Sequence, residues 1–134
     1  MHEKRVEIRW SDVDAFGHVN NAVYATYLEE CRDEWLDAAL GDGEAAWDFV
    51  IARLAIDFRR ELRLEDERLV ASCRPVRIGR SSVTLREEIR TLRGELAAEA
   101  EAVIVARDAA TGGSRPLRED ERAALERALD DPAA

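Results

Sequence analysis

Asp12 and Asp14 stand two residues apart in the stretch Asp12-Val13-Asp14-Ala15-Phe16-Gly17-His18-Val19-Asn20-Asn21, which contains a glycine and keeps no hydrophobic period. The stretch reads as a loop, and a carboxylate in it can act as a general base or a nucleophile. A helix is expected to begin directly after it, and the first turn of a helix offers unpaired N–H groups and a partial positive charge. Such donors can stabilise the oxyanion that forms when a thioester or ester carbonyl is attacked. The competing reading is structural. An Asp-x-Asp pair in a loop caps turns more often than it catalyses, and a single His18 is as readily structural as functional. The pair alone leaves both readings open.

The flanking residues define what must position that loop. Val6, Ile8 and Trp10 alternate with Arg5, Glu7 and Arg9, so a strand with one wet face is expected over 4–11. From Ala22 the period changes, with Tyr24, Tyr27, Leu28, Cys31, Trp35, Ala38 and Ala39 recurring at spacings of three and four. This predicts a helix over 22–40, capped by Asn20 or Asn21 and ended by Gly41. Further strands are expected at 50–59, 69–76, 82–92 and 97–107, with Pro75 marking an edge or a bulge. The last of these is rich in alanine, but Arg93-Gly94-Glu95 closes a hairpin onto it and Val103-Ile104-Val105 is β-branched. Pro116 opens an expected final helix through about 129, with a polar tail behind it. One long helix after the first strand, then a run of antiparallel strands, is an α+β pattern in which a sheet can wrap a single helix.

Composition narrows the function. The 134 residues suit one domain, and 46% hydrophobic content supports a real core. With 29 acidic and 20 basic side chains the formal charge is -9, which argues against nucleic acid as a partner while permitting a local basic patch for a small anion. No apolar run reaches the roughly 20 residues needed to span a bilayer, so no membrane partner is expected. The segment 1–5 lacks the apolar centre of a secretory signal, and a cytoplasmic protein is the expectation. Cys31 and Cys73 are expected to be buried free thiols. No pair among them, His2 and His18 has the spacing of a zinc or redox motif, so no metal site is expected.

The run from Arg9 through Glu29 resembles the D-x-D-x-x-G-H-V-N-N-x-x-Y-x-x-Y-x-E signature of the 4-hydroxybenzoyl-CoA thioesterase family. The later stretch Val76-Arg77-Ile78-Gly79-Arg80-Ser81-Ser82 is similar to a sheet segment of the same family. The resemblance implies a hotdog fold, an antiparallel sheet of about five strands around the long helix, in a single domain over 1–134. It further implies a homodimer at least, a dimer of dimers being common, and hydrolysis of an acyl-CoA to free acid and CoA. No cofactor is implied, since CoA is part of the substrate.

Under this resemblance the catalytic acid falls on Asp14, which makes Asp12 the weaker candidate. The N–H that polarises the thioester carbonyl falls at Asn21. Gly17 lets the backbone turn closely past the acyl group, and His18 positions a water or Asp14. Asn20 and Tyr24 match on the substrate side, Asn20 also holding the loop. CoA phosphates need cations, and Arg77 and Arg80 with the hydroxyls of Ser81 and Ser82 are the candidates, with Arg59 and Arg60 as alternatives. The segment Arg59-Arg60-Glu61-Leu62-Arg63-Leu64-Glu65-Asp66 is more charged than the family's commoner Pro- and Gly-containing turn, which bears on the cofactor side and not on the acid. Two other readings keep an acyl-CoA ligand: hydration of an enoyl-CoA by Asp14 and His18, and non-catalytic acyl-CoA sensing. The G-H-V-N-N run favours the hydrolase over the first, and the retained acid at Asp14 favours it over the second. The acyl group, and CoA against acyl-carrier protein, stay open at this level.

Overall fold

Five strands form one antiparallel sheet: β1 (His2–Glu7), β2 (Phe49–Phe58), β3 (Arg68–Ile78), β4 (Ser82–Thr91) and β5 (Leu96–Ala106), in the spatial order β1-β3-β4-β5-β2. The computed structural model that carries them describes residues 1–41 and 48–130. The tail expected behind the final helix falls outside the described residues. β3–β4 and β4–β5 are hairpins, while β1 and β2 are the two edges. The register shifts between Pro75 and Arg77, where a proline cannot donate to the ladder. The alanine-rich β5 is a strand, with Ala97, Ala98, Ala100, Ala102 and Ala106 buried.

The long helix α1 (Asn21–Leu40) packs on β3, β1 and β4. Both ends follow from the sequence. The Asn20 side chain accepts from the Ala22 N–H at 2.9 Å, and Gly41 turns the chain out at φ 72°, its N–H donating to the Asp37 carbonyl at 2.8 Å. The helix stripe meets the sheet through Tyr27, Leu28, Cys31 and Leu36, all fully buried. Arg32 reaches β4 and makes a bidentate pair with the buried Glu87 carboxylate at 2.8 and 2.9 Å. Cys31 and Cys73 are buried free thiols, with their sulfurs 4.0 Å apart. A second helix, α2 (Glu119–Asp130), lies against β3 and α1. The result is a sheet wrapped on one long helix, the hotdog arrangement.

Two expectations need correction. The first strand stops at Glu7 rather than running to 11, because the chain bends into a 3-10 turn at Trp10–Asp12 whose Asp12 carboxylate accepts the Arg9 N–H at 2.9 Å. Trp10, assigned to the buried face, is therefore 81% exposed. The final helix starts at Glu119, because the Leu117 N–H is taken by the Arg80 carbonyl and the first helical bond runs from Arg122 N–H to the Arg118 carbonyl. Tyr27 and Trp35, the large aromatics of the α1 stripe, are both buried inside the single chain. On the sheet, β2 carries three uncovered apolar side chains, Val50, Ile51 and Phe58, each about half exposed.

Candidate active site

The two aspartates of the loop have separate surroundings. Asp12 is 6% exposed, and its Oδ2 accepts from the Tyr27 hydroxyl at 2.7 Å and from the Arg9 N–H. Burial opposes its ionisation, yet the Tyr27 hydroxyl, the Arg9 N–H and the Arg9 guanidinium together hold the carboxyl below its ordinary range. The same burial, with the bond to Asp12, pushes the Tyr27 phenol up. The Asp12 carbonyl also accepts the Asn20 N–H at 2.9 Å, so this residue closes the loop onto the helix start. The carboxylate of Asp12 is engaged in holding the fold.

Asp14 is exposed, and its Oδ1 accepts from the N–H groups of Phe16 at 2.9 Å and His18 at 3.1 Å. Among the described residues nothing donates to Oδ2. The loop that achieves this reverses at Gly17, whose φ of 83° suits glycine and whose N–H donates to the Asp14 carbonyl at 3.1 Å. A reciprocal bond from the Asp14 N–H to the His18 carbonyl at 2.8 Å closes the turn. The carboxylate is thus oriented by backbone donors at one oxygen and open at the other.

Asp14, His18, Asn21 and Tyr24 line one cleft of about 380 Å³, together with Phe58, Arg59, Arg60 and Glu61. Asn21 is the first residue of α1, and no acceptor among the described residues engages its N–H, as the geometry of a first helical turn requires. Tyr24, one turn further along α1, lines the same cleft. Its ring meets Phe58 edge-on at 5.0 Å, and its hydroxyl accepts the Leu62 N–H at 3.1 Å while donating to the Arg60 carbonyl at 3.4 Å. Burial pushes this phenol above its ordinary range, so it stays a donor. The cleft wall at 60–63 is also clamped by the Val19 N–H to the Leu62 carbonyl at 2.8 Å and by a bridge between His18 and Arg63. The His18 ring does not reach back over the Asp14 carboxylate. Its Nε2 lies 3.2 Å from Glu61 Oε2, and only its backbone N–H holds Asp14.

The remaining candidates divide. Arg59 lies 3.4 Å from Glu99 and 3.9 Å from Asp57, and Arg60 pairs with Glu95 at 2.9 Å and Asp66 at 3.4 Å, so both cations of the cleft rim are already countered. Arg77, Arg80, Ser81 and Ser82 do not line this cleft. Arg77 and Arg80 lie beyond the Pro75 bulge, Arg77 donating to Thr84 Oγ1 at 3.3 Å, and both side chains reach solvent. Ser82 stands across from Val105, and Val105 from Val50, so the 77–82 turn sits at the start of β2 while the Asp14 cleft sits at its end, at Phe58. The 10 residues of β2 separate them by roughly 30 Å at about 3.3 Å per residue. Glu61 and Phe58 are cleft residues that the sequence pattern did not single out. Glu61 was visible only as part of an unusually charged turn.

Comparison with known proteins fixes the class. The sequence profile of the thioesterase-like superfamily matches residues 8–125, and the chain belongs to that superfamily. A thioesterase from Thermus thermophilus, solved in complex with coenzyme A and Zn, is 33% identical, with 98% of this chain and 96% of that one covered and a TM-score of 0.87. A predicted thioesterase from Bacillus stearothermophilus is 25% identical, with 96% of each chain covered and a TM-score of 0.85. The chloroplastic acyl-acyl carrier protein thioesterase ATL3 of Arabidopsis thaliana is 37% identical over 77 residues, a match that spans 52% of this chain and 39% of that protein. The chain is a hotdog-fold thioester hydrolase. None of the described helices is long and apolar enough to cross a membrane.

Proposed function

We propose that the chain hydrolyses an acyl-CoA to the free acid and CoA, with Asp14 as the reacting carboxylate. One observation carries the reading: Asp14 Oδ2 is open in the cleft that also holds Asn21, whose first-turn N–H has no acceptor among the described residues. A thioester carbonyl seated at Asn21 would have its developing oxyanion met by that N–H and by the positive end of α1. Two routes use this geometry. In one, Asp14 takes a proton from water, the water oxygen attacks the carbonyl carbon, and the C–S bond breaks, the departing sulfur taking that proton from Asp14 to leave as the thiol. In the other, Asp14 attacks directly and water resolves the mixed anhydride. Single-turnover hydrolysis in isotopically heavy water tests the second route: water that resolves the anhydride at the Asp14 carbonyl leaves heavy oxygen in Asp14, an outcome the first route excludes.

The carrier reading draws on the Thermus protein, which is solved with coenzyme A. The Arabidopsis match favours an acyl-carrier protein as a second candidate. Thiol release measured across short, long and aromatic acyl-CoA esters, beside the same acyl groups on a carrier protein, decides between them. Hydrolysis of the carrier-protein esters alone would refute the CoA reading.

The working unit in this reading is a homodimer joined through β2. That edge presents Val50, Ile51 and Ala52 with few charges, whereas the β1 edge exposes Glu3, Arg5 and Glu7, the charges that keep an edge from pairing. An isologous antiparallel pairing of β2 with its copy exchanges the two ends of the strand. It would bring the partner's 77–82 turn, with its two arginines, to the Asp14 cleft of this chain. Mixing tests this directly. Asp14→Asn subunits co-expressed with subunits carrying Arg77→Ala and Arg80→Ala should regain activity, because one site per mixed dimer is then intact. No regain would assign both groups to one chain or dismiss the arginines. Sedimentation across a dilution series should show a dimer, and a fully active monomer would refute the assembly.

A further inference from the structure

We infer that Glu61 is a positioning residue for His18, holding the imidazole with its hydrogen on Nε2 and leaving Nδ1 as the acceptor nitrogen of the cleft. The inference rests on the hydrolase reading above, which gives an acceptor in that cleft its use. Glu61 Oε2 lies 3.2 Å from His18 Nε2, a separation that favours a hydrogen on that nitrogen.

The placement of Glu61 is dictated by its neighbours in the chain. Leu62 is fully buried, its N–H is held by the Tyr24 hydroxyl and its carbonyl by the Val19 N–H. The carbonyl of Arg60 is held by the same hydroxyl, and Arg63 bridges to His18. Residues on both sides of Glu61 are therefore pinned to the strip 18–24, which sets its backbone beside His18. Arg63 Nη2, 3.1 Å from the same Oε2, steadies the carboxylate further. The other charged groups of the cleft are Asp14, Arg59 and Arg60, and both arginines are paired with carboxylates other than Glu61.

The consequence concerns water. A neutral imidazole free to turn presents either nitrogen and orders nothing. Fixed by Glu61, it would offer a water one acceptor in the cleft that Asp14 Oδ2 also lines, and a water reaching both would be held for attack. His18 also fixes Asp14 through its backbone N–H, so ring and carboxylate belong to one rigid turn.

The test begins with imidazole nitrogen NMR, which needs no turnover. The chain has 2 histidines, so a His2→Gln protein leaves His18 as the sole signal. The wild type should show the Nε2–H tautomer in excess at a pH where the ring is neutral, Glu61→Ala should lose that excess, and Glu61→Gln should keep part of it through its amide oxygen. With the substrate found in the thiol-release panel, Glu61→Ala should lower kcat by about 10- to 100-fold, the scale seen when a carboxylate that orients a histidine is lost, with KM little changed. In a His18→Gln background the same substitution should cost nothing more. An unchanged tautomer in Glu61→Ala, or a full further loss in the His18→Gln background, overturns the assignment. A wild type that releases no thiol from any ester fails the hydrolase reading instead, and the tautomer result then decides Glu61 alone.

Discussion

Asp12 and Asp14 share a loop, a residue type and a motif, yet one is built into the fold and the other is presented to the cleft. Asp12 is enclosed by Tyr27 from α1 and by the Arg9 backbone, and its carboxylate is consumed in closing a turn. Asp14 stands outside that enclosure with one oxygen fixed by two N–H groups and the other open. The contrast teaches that the catalytic reading of a carboxylate depends on an unused lone pair at a fixed position, and that a strongly bonded neighbour is what fixes it. Because the Asp12 carbonyl also takes the Asn20 N–H, the structural aspartate anchors the helix start on which the proposed oxyanion site depends.

The largest effect should come from the exposed partner. Asp14→Asn should lower kcat by about 10²- to 10⁴-fold, the range for a lost acid–base group, while the melting temperature barely moves. Near-normal turnover would break the comparison at its functional end. Asp12→Ala should do the reverse, leaving the buried Tyr27 hydroxyl and the Arg9 N–H without their acceptor at a cost of about 1–3 kcal/mol. Denaturant unfolding reads that cost, and an unchanged stability with collapsed kcat would exchange the roles assigned here.

Acid sharpens the contrast further. Since the folded state holds the Asp12 carboxyl below its ordinary range, the unfolded chain takes up this proton more readily. The contribution is therefore full above an ordinary Asp pKa of about 3.9 and is lost as pH falls through the lower folded value. The stability gap between wild type and Asp12→Ala should accordingly narrow below about pH 4, measured by unfolding at a series of pH values. A gap that stays constant to low pH would show that the carboxylate's charge contributes nothing. The smallest effect should follow Gly17→Ala. A side chain there meets open space, so only the positive φ opposes it, at about 1 kcal/mol of stability. If that variant instead loses most of its kcat with its stability intact, the turn positions Asp14 more tightly than its stability cost implies.

Much of the architecture was legible because it rests on local chemistry. The α1 stripe, its Asn20 cap and its Gly41 stop are all decided within a few residues of one another, and each appears where the pattern put it. The Pro75 bulge follows from a missing N–H, and the alanine-rich β5 was recovered from its hairpin and its β-branched end. Local pattern misled where a distant partner intervened. The alternation through Ile8 and Trp10 continued past a bend, and Pro116 marked the approach to a helix and not its first turn.

The sequence by itself determined the order of residues that brings a carboxylate, a positive-φ glycine and a helix start together, since all lie within one turn and one cap. Only the tertiary structure decided which aspartate is spent, because that depends on Tyr27 arriving from the next helix to claim Asp12. It alone brought Glu61 to His18, from the far end of β2, by burying Leu62 and clamping the segment to Tyr24 and Val19. It alone separated the 77–82 arginines from the cleft by the length of β2. Contacts made by neighbours in sequence are fixed by backbone geometry, whereas contacts between distant segments exist only once a shared core holds both.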